Sequence, residues 1–511
     1  MKQTSFKYVG MLALLLALTT SCSDKYLDIN ENPNQATVVP PALVLPTALN
    51  ATGTYISTSF PFLNLWMGYW NWSGNYSISQ SDKNYRFTTS YYNDIWNDAY
   101  TRLKDYDYVE KQAVAGNQPY LQAVAKIMKG LHFQILVDTY GNVPYTDALQ
   151  GLNNLQPKYQ DGKVIYEGVM ADWTAALALI AKGQVRVKNG ETSLNLGAND
   201  IMFKGDMAKW ARFANTLKLR MLLRQSERSD RAGYIQAELA KIKAGNIGFL
   251  KAGENASVNP GYTNSDNRQN PFYGAFGFNV SGATVENNNQ YRGNKYALDY
   301  YISTNDIRVL AFYDRAATGG TLTGTFFGDI NVLVNSRTAG IGSGATGFTG
   351  VLKSPEQDAV ILASHESLLL QAEATQRGWL SGSALDLYEA AVIDSYTNLD
   401  IQDADGKPED YALEYLSNPV RNVAWGSSPN KIEAIITQEW AANNALSPFE
   451  SWANYRRLGL PAVPISRDPS VTVRQIPVRL LFPQSEYNFN AANVGAQGQV
   501  SQFTTKPFWM K

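Results

Sequence analysis

The sequence predicts an all-α protein: antiparallel helix pairs that carry a long, irregular, loop-rich layer. Three observations predict it. Apolar residues recur three and four positions apart in segments along most of the chain, the mark of helices with one buried stripe. Gly- and Asn-rich breaks separate these segments into pairs. Between Gly245 and Gly350 the helical period gives way to Asn, Gly, Ser and aromatic residues.

The totals narrow the function. The chain has 511 residues, 44% of them hydrophobic, enough for a large buried core. With 44 Lys and Arg against 45 Asp and Glu, it has no basic excess to neutralise phosphates, which argues against a nucleic-acid partner. A single Cys and two His exclude an internal disulfide, a cysteine-based zinc site and a three-histidine metal site.

The first 21 residues read as an export signal. Lys2 and Lys7 precede ten apolar residues over 9–18, too short a run to span a bilayer. Thr19, Thr20 and Ser21 then lead into Cys22, the pattern of a lipoprotein signal cleaved before an acylated cysteine. Each buried acyl methylene contributes about 0.8 kcal/mol to anchoring. Residues 22–40 form a polar tether, and 41–511 the folded domain.

Helical spacing begins at 91–114, with Ile95, Ala99, Leu103 and Tyr106 on one stripe. It repeats at 120–139, behind a helix-starting Pro119. Helices are expected at 164–182, 206–225 and 229–244, a short one near 296–313, and more at 357–377, 384–396, 431–445 and 448–457, before an irregular tail. Ala374, Gly378, Ala384, Tyr388 and Ala391 fall near the spacing of a tetratricopeptide helix pair. The insertions at about 246–291 and 316–355 are over-long for connections, and loops beyond about 12–15 residues are usually functional or disordered.

Catalytic motifs are sparse. Gly342, Gly344 and Gly347 match GxGxxG, but no helix start follows, so a dinucleotide site is rejected. No phosphate loop or hydrolase elbow is present. His365 precedes Glu366, yet Leu369 stands where a metalloprotease needs its second histidine, and His132 sits in an apolar stripe; both read as structural. A glycosidase needs only two carboxyl groups; Asp105, Asp107 and Glu110 read as solvated helix faces, and no pair is singled out. Asn- and Asp-bearing loops such as 264–270 could hold calcium, but without EF-hand spacing no metal or cofactor is assigned.

The aromatic content says more: 11 Trp, 30 Tyr and 20 Phe, with a dense run at 60–76. Aromatic faces stack on the C–H faces of sugar rings while amides bind hydroxyls. Trp66 and Tyr69, at helical spacing, read as core. Trp70, Trp72 and Tyr76 run into a Ser-Gly-Asn break and are expected to be exposed platforms, with Tyr273, Phe276 and Tyr291 from the loop insertion.

Six blocks in order resemble the SusD/RagB family of surface nutrient-binding lipoproteins, especially its second SusD-like branch. They are Asp28, Asn30 and Asn32-Pro33-Asn34 after the cysteine; DTYGNVPY at 138–145; PxYQD at 157–161 followed by Val164, Tyr166 and Asp172; GDxxKWxxFANxLxLR at 205–220; QEW at 438–440; and ExWxxxRRxGxP at 450–461. The blocks read as structural: Gly141 and Pro144 as turn residues, Asp206 as a helix cap, Arg456 and Arg457 as ion-pairing groups. The resemblance implies a helical body with tetratricopeptide-like pairs, lipid-anchored at the outer membrane and facing outward. It also implies a non-catalytic receptor that delivers a glycan or another nutrient to a SusC-type TonB-dependent transporter. A lipid-anchored glycoside hydrolase and a peptide-binding receptor stand as alternatives.

Overall fold

The long helices pack pairwise in chain order. In the computed structural model, which describes residues 39–511 except 78, 192–193, 316–319, 334–337 and 345–347, α1 (Pro41–Thr58) lies on α2 (Asp94–Ala115), and α2 on α3 (Pro119–Tyr140). Asn117, at φ +51°, makes the left-handed turn between α2 and α3. Pro119 then sits in the first turn of α3, where a missing N–H costs nothing. α3 packs along α4 (Gly162–Lys188), and glycine sets how closely. A Cβ on Gly130 would lie 2.3 Å from Nε1 of Trp173, and one on Gly183 would lie 2.2 Å from the Tyr120 ring. α4 is long and apolar enough to cross a membrane by length and composition; here it buries Ile165, Tyr166, Val169 and Trp173 in the core.

Side-chain caps start the helices where the sequence supplies them. The Asp161 carboxylate accepts from the Lys163 amide at the head of α4. Asp206 accepts from the Ala208 and Lys209 amides at the head of α5 (Met207–Arg224), the role expected of it. After α6 (Ala232–Gly245) and the loop layer, the series resumes with α7 (Ser364–Gln376), α8 (Ala384–Asn398), α9 (Pro408–Ser417), α10 (Lys431–Ala442) and α11 (Pro448–Leu458). α7 packs on α5, α8 and α10. The α7/α8 pair buries Ala374, Tyr388 and Ala391 and turns at Gly378, φ +73°, as its tetratricopeptide-like spacing predicts. The protein is all-α in class, its strands forming only short two-stranded ladders among the described residues.

Four expectations are corrected. The stretch 357–377 is not one helix: Ala359–Leu362 forms strand β8, paired with β4 (Ala256–Val258), and helix begins only at Ser364. Val360, β-branched, pairs with Ser257 there, and Ile361 sits at a bulge in the ladder. α1 and α9 were not expected; α1 carries Pro46 and Gly53 within it, and α9 starts on Pro408. Gly53 in fact lets α1 approach β4, where a Cβ would come within 2.5 Å of Val258 Cγ2. The piece at 296–313 divides into Lys295–Ser303 and Val309–Phe312. The tail contains two short helices, Gln484–Phe489 and Ala491–Gly495.

Where α3, α5, α7 and α11 meet, charge is buried. Arg224 reaches Asp138 at 3.3 Å and Glu450 at 2.6 Å, while Arg220 reaches Glu366 at 3.2 Å and Glu450 at 3.4 Å. Asp138 also accepts from Trp509 Nε1 at 2.7 Å and from the Tyr166 hydroxyl. Such a network fixes helix register, because removing one partner strands a charge in low dielectric. Arg457 ion-pairs as expected. Arg456 does not: it donates to the carbonyls of Asp138 and Val478 and lies 3.4 Å over the Trp452 ring. Asp107 and Glu110, expected on a solvated face, are half-buried partners of Lys129, and Glu110 also pairs with Lys126.

Candidate functional site

The loop layer is organised by a two-stranded ladder. β1 (Trp70–Trp72) pairs antiparallel with β5 (Tyr291–Gly293), placing Trp72 opposite Tyr291 and Asn71 opposite Arg292. Side chains alternate along a strand, so Trp70, Trp72 and Tyr291 share one face. Phe276 joins them from the helix Pro271–Phe276, which is capped by Asn270 Oδ1 accepting from the Tyr273 amide. Ring centroids lie 5.4 Å apart for Trp70 and Phe276, 5.1 Å for Trp70 and Tyr291, and 5.4 Å for Trp72 and Tyr291. Sequence positions more than 200 residues apart thus converge on one aromatic cluster.

The cluster is interior, which corrects the expectation of open platforms. Trp70 is 0% exposed, Phe276 3%, Tyr291 5% and Trp72 7%. Their faces pack on one another. The Asn-rich helix Glu286–Gln290 is tied to this cluster, the Asn287 and Asn288 amides donating to the carbonyls of Ala275 and Phe276. A sugar needs a free ring face, and in these four the faces are taken up by mutual packing, so they form a buried floor to the layer. Tyr76 and Tyr273 stay half-buried at its surface, Tyr273 packing 5.8 Å from Phe278. Trp66 and Tyr69 are core, as expected. Cys22 lies outside the described residues.

Polar groups lie close under this surface. Asn71 Nδ2 donates to Thr325 Oγ1 at 2.7 Å and to the Phe326 carbonyl at 3.1 Å, tying the second insertion to β1. The buried Arg292 guanidinium donates to the Tyr291 carbonyl at 2.7 Å and to that of Asn288, and burial pushes it down to about 10. Burial likewise raises the Asp82 carboxyl to about 6, although the Tyr91 hydroxyl donates to it at 2.5 Å. The two histidines are structural, as expected. His132 Nε2 meets Thr52 Oγ1 at 3.0 Å, His365 Nδ1 accepts from Asn398 Nδ2 at 3.2 Å, and burial pushes both rings down to about 3.

The sequence reading missed a groove of about 620 Å³ between α2, the 148–157 loop and the tail helix Gln484–Phe489. Asn97, Thr101 and Gln150 line it with Tyr100 and the edge of Trp96. Leu152 and Leu155, 90% and 70% exposed, line its loop side. Leu149, Leu152 and Leu155 recur every third residue in a segment outside every expected helix, a legible signal.

The helical scaffold with its loop layer sets the fold class, and the comparison of sequences sets the family. The chain belongs to the SusD-like_2 family, described as starch-binding and associating with outer membrane, whose pattern matches residues 33–483. No curated protein matches it. Among solved structures it is similar to a protein from Bacteroides vulgatus ATCC 8482, at 22% identity, TM-score 0.74, and coverage of 93% of this chain and 100% of that one. A SusD homolog from Bacteroides uniformis ATCC 8492 gives 21%, 0.72, 92% and 99%. A chitin-binding SusD homolog from Flavobacterium johnsoniae gives 21%, 0.70, 91% and 98%. At these identities the likeness shows a shared fold.

Proposed function

We propose that this chain is a non-catalytic cell-surface receptor. Lipid on Cys22 holds it on the outside of the outer membrane, and it binds a glycan on the loop layer and passes it to a SusC-type TonB-dependent transporter. The observation that carries this reading is the construction of the layer. An aromatic floor of Trp70, Trp72, Phe276 and Tyr291, held by mutual packing, supports a surface that includes Tyr76, Tyr273, Thr284 and Asn289. Such a base presents hydrogen-bonding groups to sugar hydroxyls with little ordering cost on binding. Tyr76 and Tyr273, half-buried at the surface of the layer, are the rings we assign to the ligand. The family's starch-binding description and the chitin-binding relative support a glycan over a peptide.

An affinity near micromolar, about -8 kcal/mol, suits a carrier that must release its cargo. The test is calorimetry of the chain from Ser23 onward against malto- and chito-oligosaccharides, with Tyr76→Ala and Tyr273→Ala beside it. Saturable binding weakened by either substitution supports the reading. Product formation would favour a glycoside hydrolase, and binding confined to peptides would favour a peptide receptor.

A further inference from the structure

A cleft of about 310 Å³, sharing no lining residue with the aromatic floor, opens where the two loop insertions meet the α7/α8 pair. Asn255 and Ser257 reach it from the first insertion, Lys353 from the second, and Asp358 from the approach to β8. Three features set it apart. It contains no Trp, Tyr or Phe, although the chain is rich in all three. Its apolar wall is aliphatic: Val351, Val360, Leu399 and Leu446. Its polar wall carries one full charge of each sign.

Neither charge makes a direct ion pair among the described residues; burial pushes the Lys353 ammonium below the usual lysine range, and the Asp400 and Asp358 carboxylates act on it only from a distance. Lys353 Nζ donates to the Asn398 carbonyl at the end of α8, which leaves two of its three N–H groups. The Asp358 carboxylate accepts from Ser257 Oγ at 3.0 Å and from Asn259 Nδ2 at 2.9 Å, one bond on each oxygen, with lone pairs to spare. Two helix ends also reach the cleft. α7, thirteen residues long, begins there after Ala363, which offers no side-chain cap. α8 ends there at Thr397 and Asn398. The first brings partial positive charge and the second partial negative. The floor is rigid: Asn255 Oδ1 accepts from the Ser364 amide at 2.7 Å, and Asn255 Nδ2 donates to Asn398 Oδ1 at 2.9 Å.

A neutral sugar would neutralise neither charge and would find no ring to stack on. The volume is at the low end for ligand sites, which run from about 300 Å³. We propose that this cleft is a second, separate binding site, for the zwitterionic head of a free α-amino acid with an aliphatic side chain. Lys353 receives the carboxylate, Asp358 the ammonium, and the Val351, Val360, Leu399 and Leu446 wall the side chain.

The probe is L-leucine, titrated by calorimetry into the chain from Ser23 onward, beside N-acetyl-L-leucine and L-leucinamide, which each lack one charge. The expected result is a single site with Kd at or below about 1 mM. Each blocked derivative is expected to weaken it at least about tenfold, about 1.4 kcal/mol. Lys353→Met and Asp358→Asn, at solvent-exposed positions, are expected to do the same without shifting Tm. No saturable binding of L-leucine, or equal binding of the blocked derivatives, overturns the proposal even if a variant fails to fold. Glycan binding, measured on the same samples, is expected to be unchanged by both substitutions; its absence would count against the receptor reading alone.

Discussion

Arg457 holds Glu373 on both carboxylate oxygens, Nη1 to Oε1 at 2.5 Å and Nη2 to Oε2 at 2.8 Å, joining α11 to α7 in the interior. Arg377 adds a third contact to the same carboxylate at 2.8 Å. Together they hold Glu373 below the usual carboxylate range against a large desolvation that raises it. Glu373→Ala leaves Arg457 buried and unmatched, so it is expected to cost about 3–5 kcal/mol in urea unfolding. A cost below about 1 kcal/mol would show that the pair does not join the helices.

The loop layer's floor separates stability from binding. Trp72→Ala is expected to destabilise the protein by about 3–5 kcal/mol, the range for emptying a buried aromatic site. Tyr76→Ala, half-exposed, is expected to weaken glycan binding with a stability change near 0.5 kcal/mol, as at ordinary surface positions. Thermal unfolding beside calorimetry reads both; a Trp72→Ala protein as stable as the parent would refute the buried floor.

Gly130 is set by contact, not by helix preference. Ala would improve helix propensity by about 1 kcal/mol, but its Cβ would press on the Trp173 indole at 2.3 Å. Gly130→Ala is expected to lower stability by about 1–3 kcal/mol, the cost of overpacking. A gain in Tm would mean that α3 and α4 part easily.

Asp82 gives a pH signature. Its folded pKa, about 6, lies above the ordinary 3.8, so the folded state binds the extra proton. Its contribution is present below pH 3.8 and is lost as pH rises through 6. Asp82→Asn is therefore expected to match the parent near pH 3.8 and to exceed its stability by up to about 3 kcal/mol at pH 7. His132 and His365 act in the opposite sense. Lowered from 6.5 to about 3, they stabilise the fold above pH 6.5, and this is lost as pH falls toward 3. Urea midpoints across pH 4–8 check both, and a pH-independent difference between Asp82→Asn and parent would contradict the first.

Much of the scaffold was legible because helices announce themselves through local spacing: α2, α3, α5, α8 and α11 begin and end within three residues of their expected bounds, while α4 runs six residues past its expected end. α1 was hidden by Pro46 and Gly53, since what stabilises it is contact with α2 and β4, far away in sequence. The same limit explains the site. Trp70 and Trp72 lie beside a Ser-Gly-Asn break, which reads as surface, yet β5, more than 200 residues later, turns their faces inward. Arg456 and Arg457 are adjacent and alike in type, but only Arg457 meets a carboxylate. Pairing across the fold, not composition, decided each case.

The receptor reading rests on saturable glycan binding without turnover, and one measurement tests it most directly. The chain from Ser23 onward is titrated with malto- and chito-oligosaccharides while the same mixtures are analysed for cleavage products. The account predicts saturable binding of one glycan class, near micromolar, with the oligosaccharide recovered intact. Release of shorter products, or no binding to any member of the panel, would contradict it.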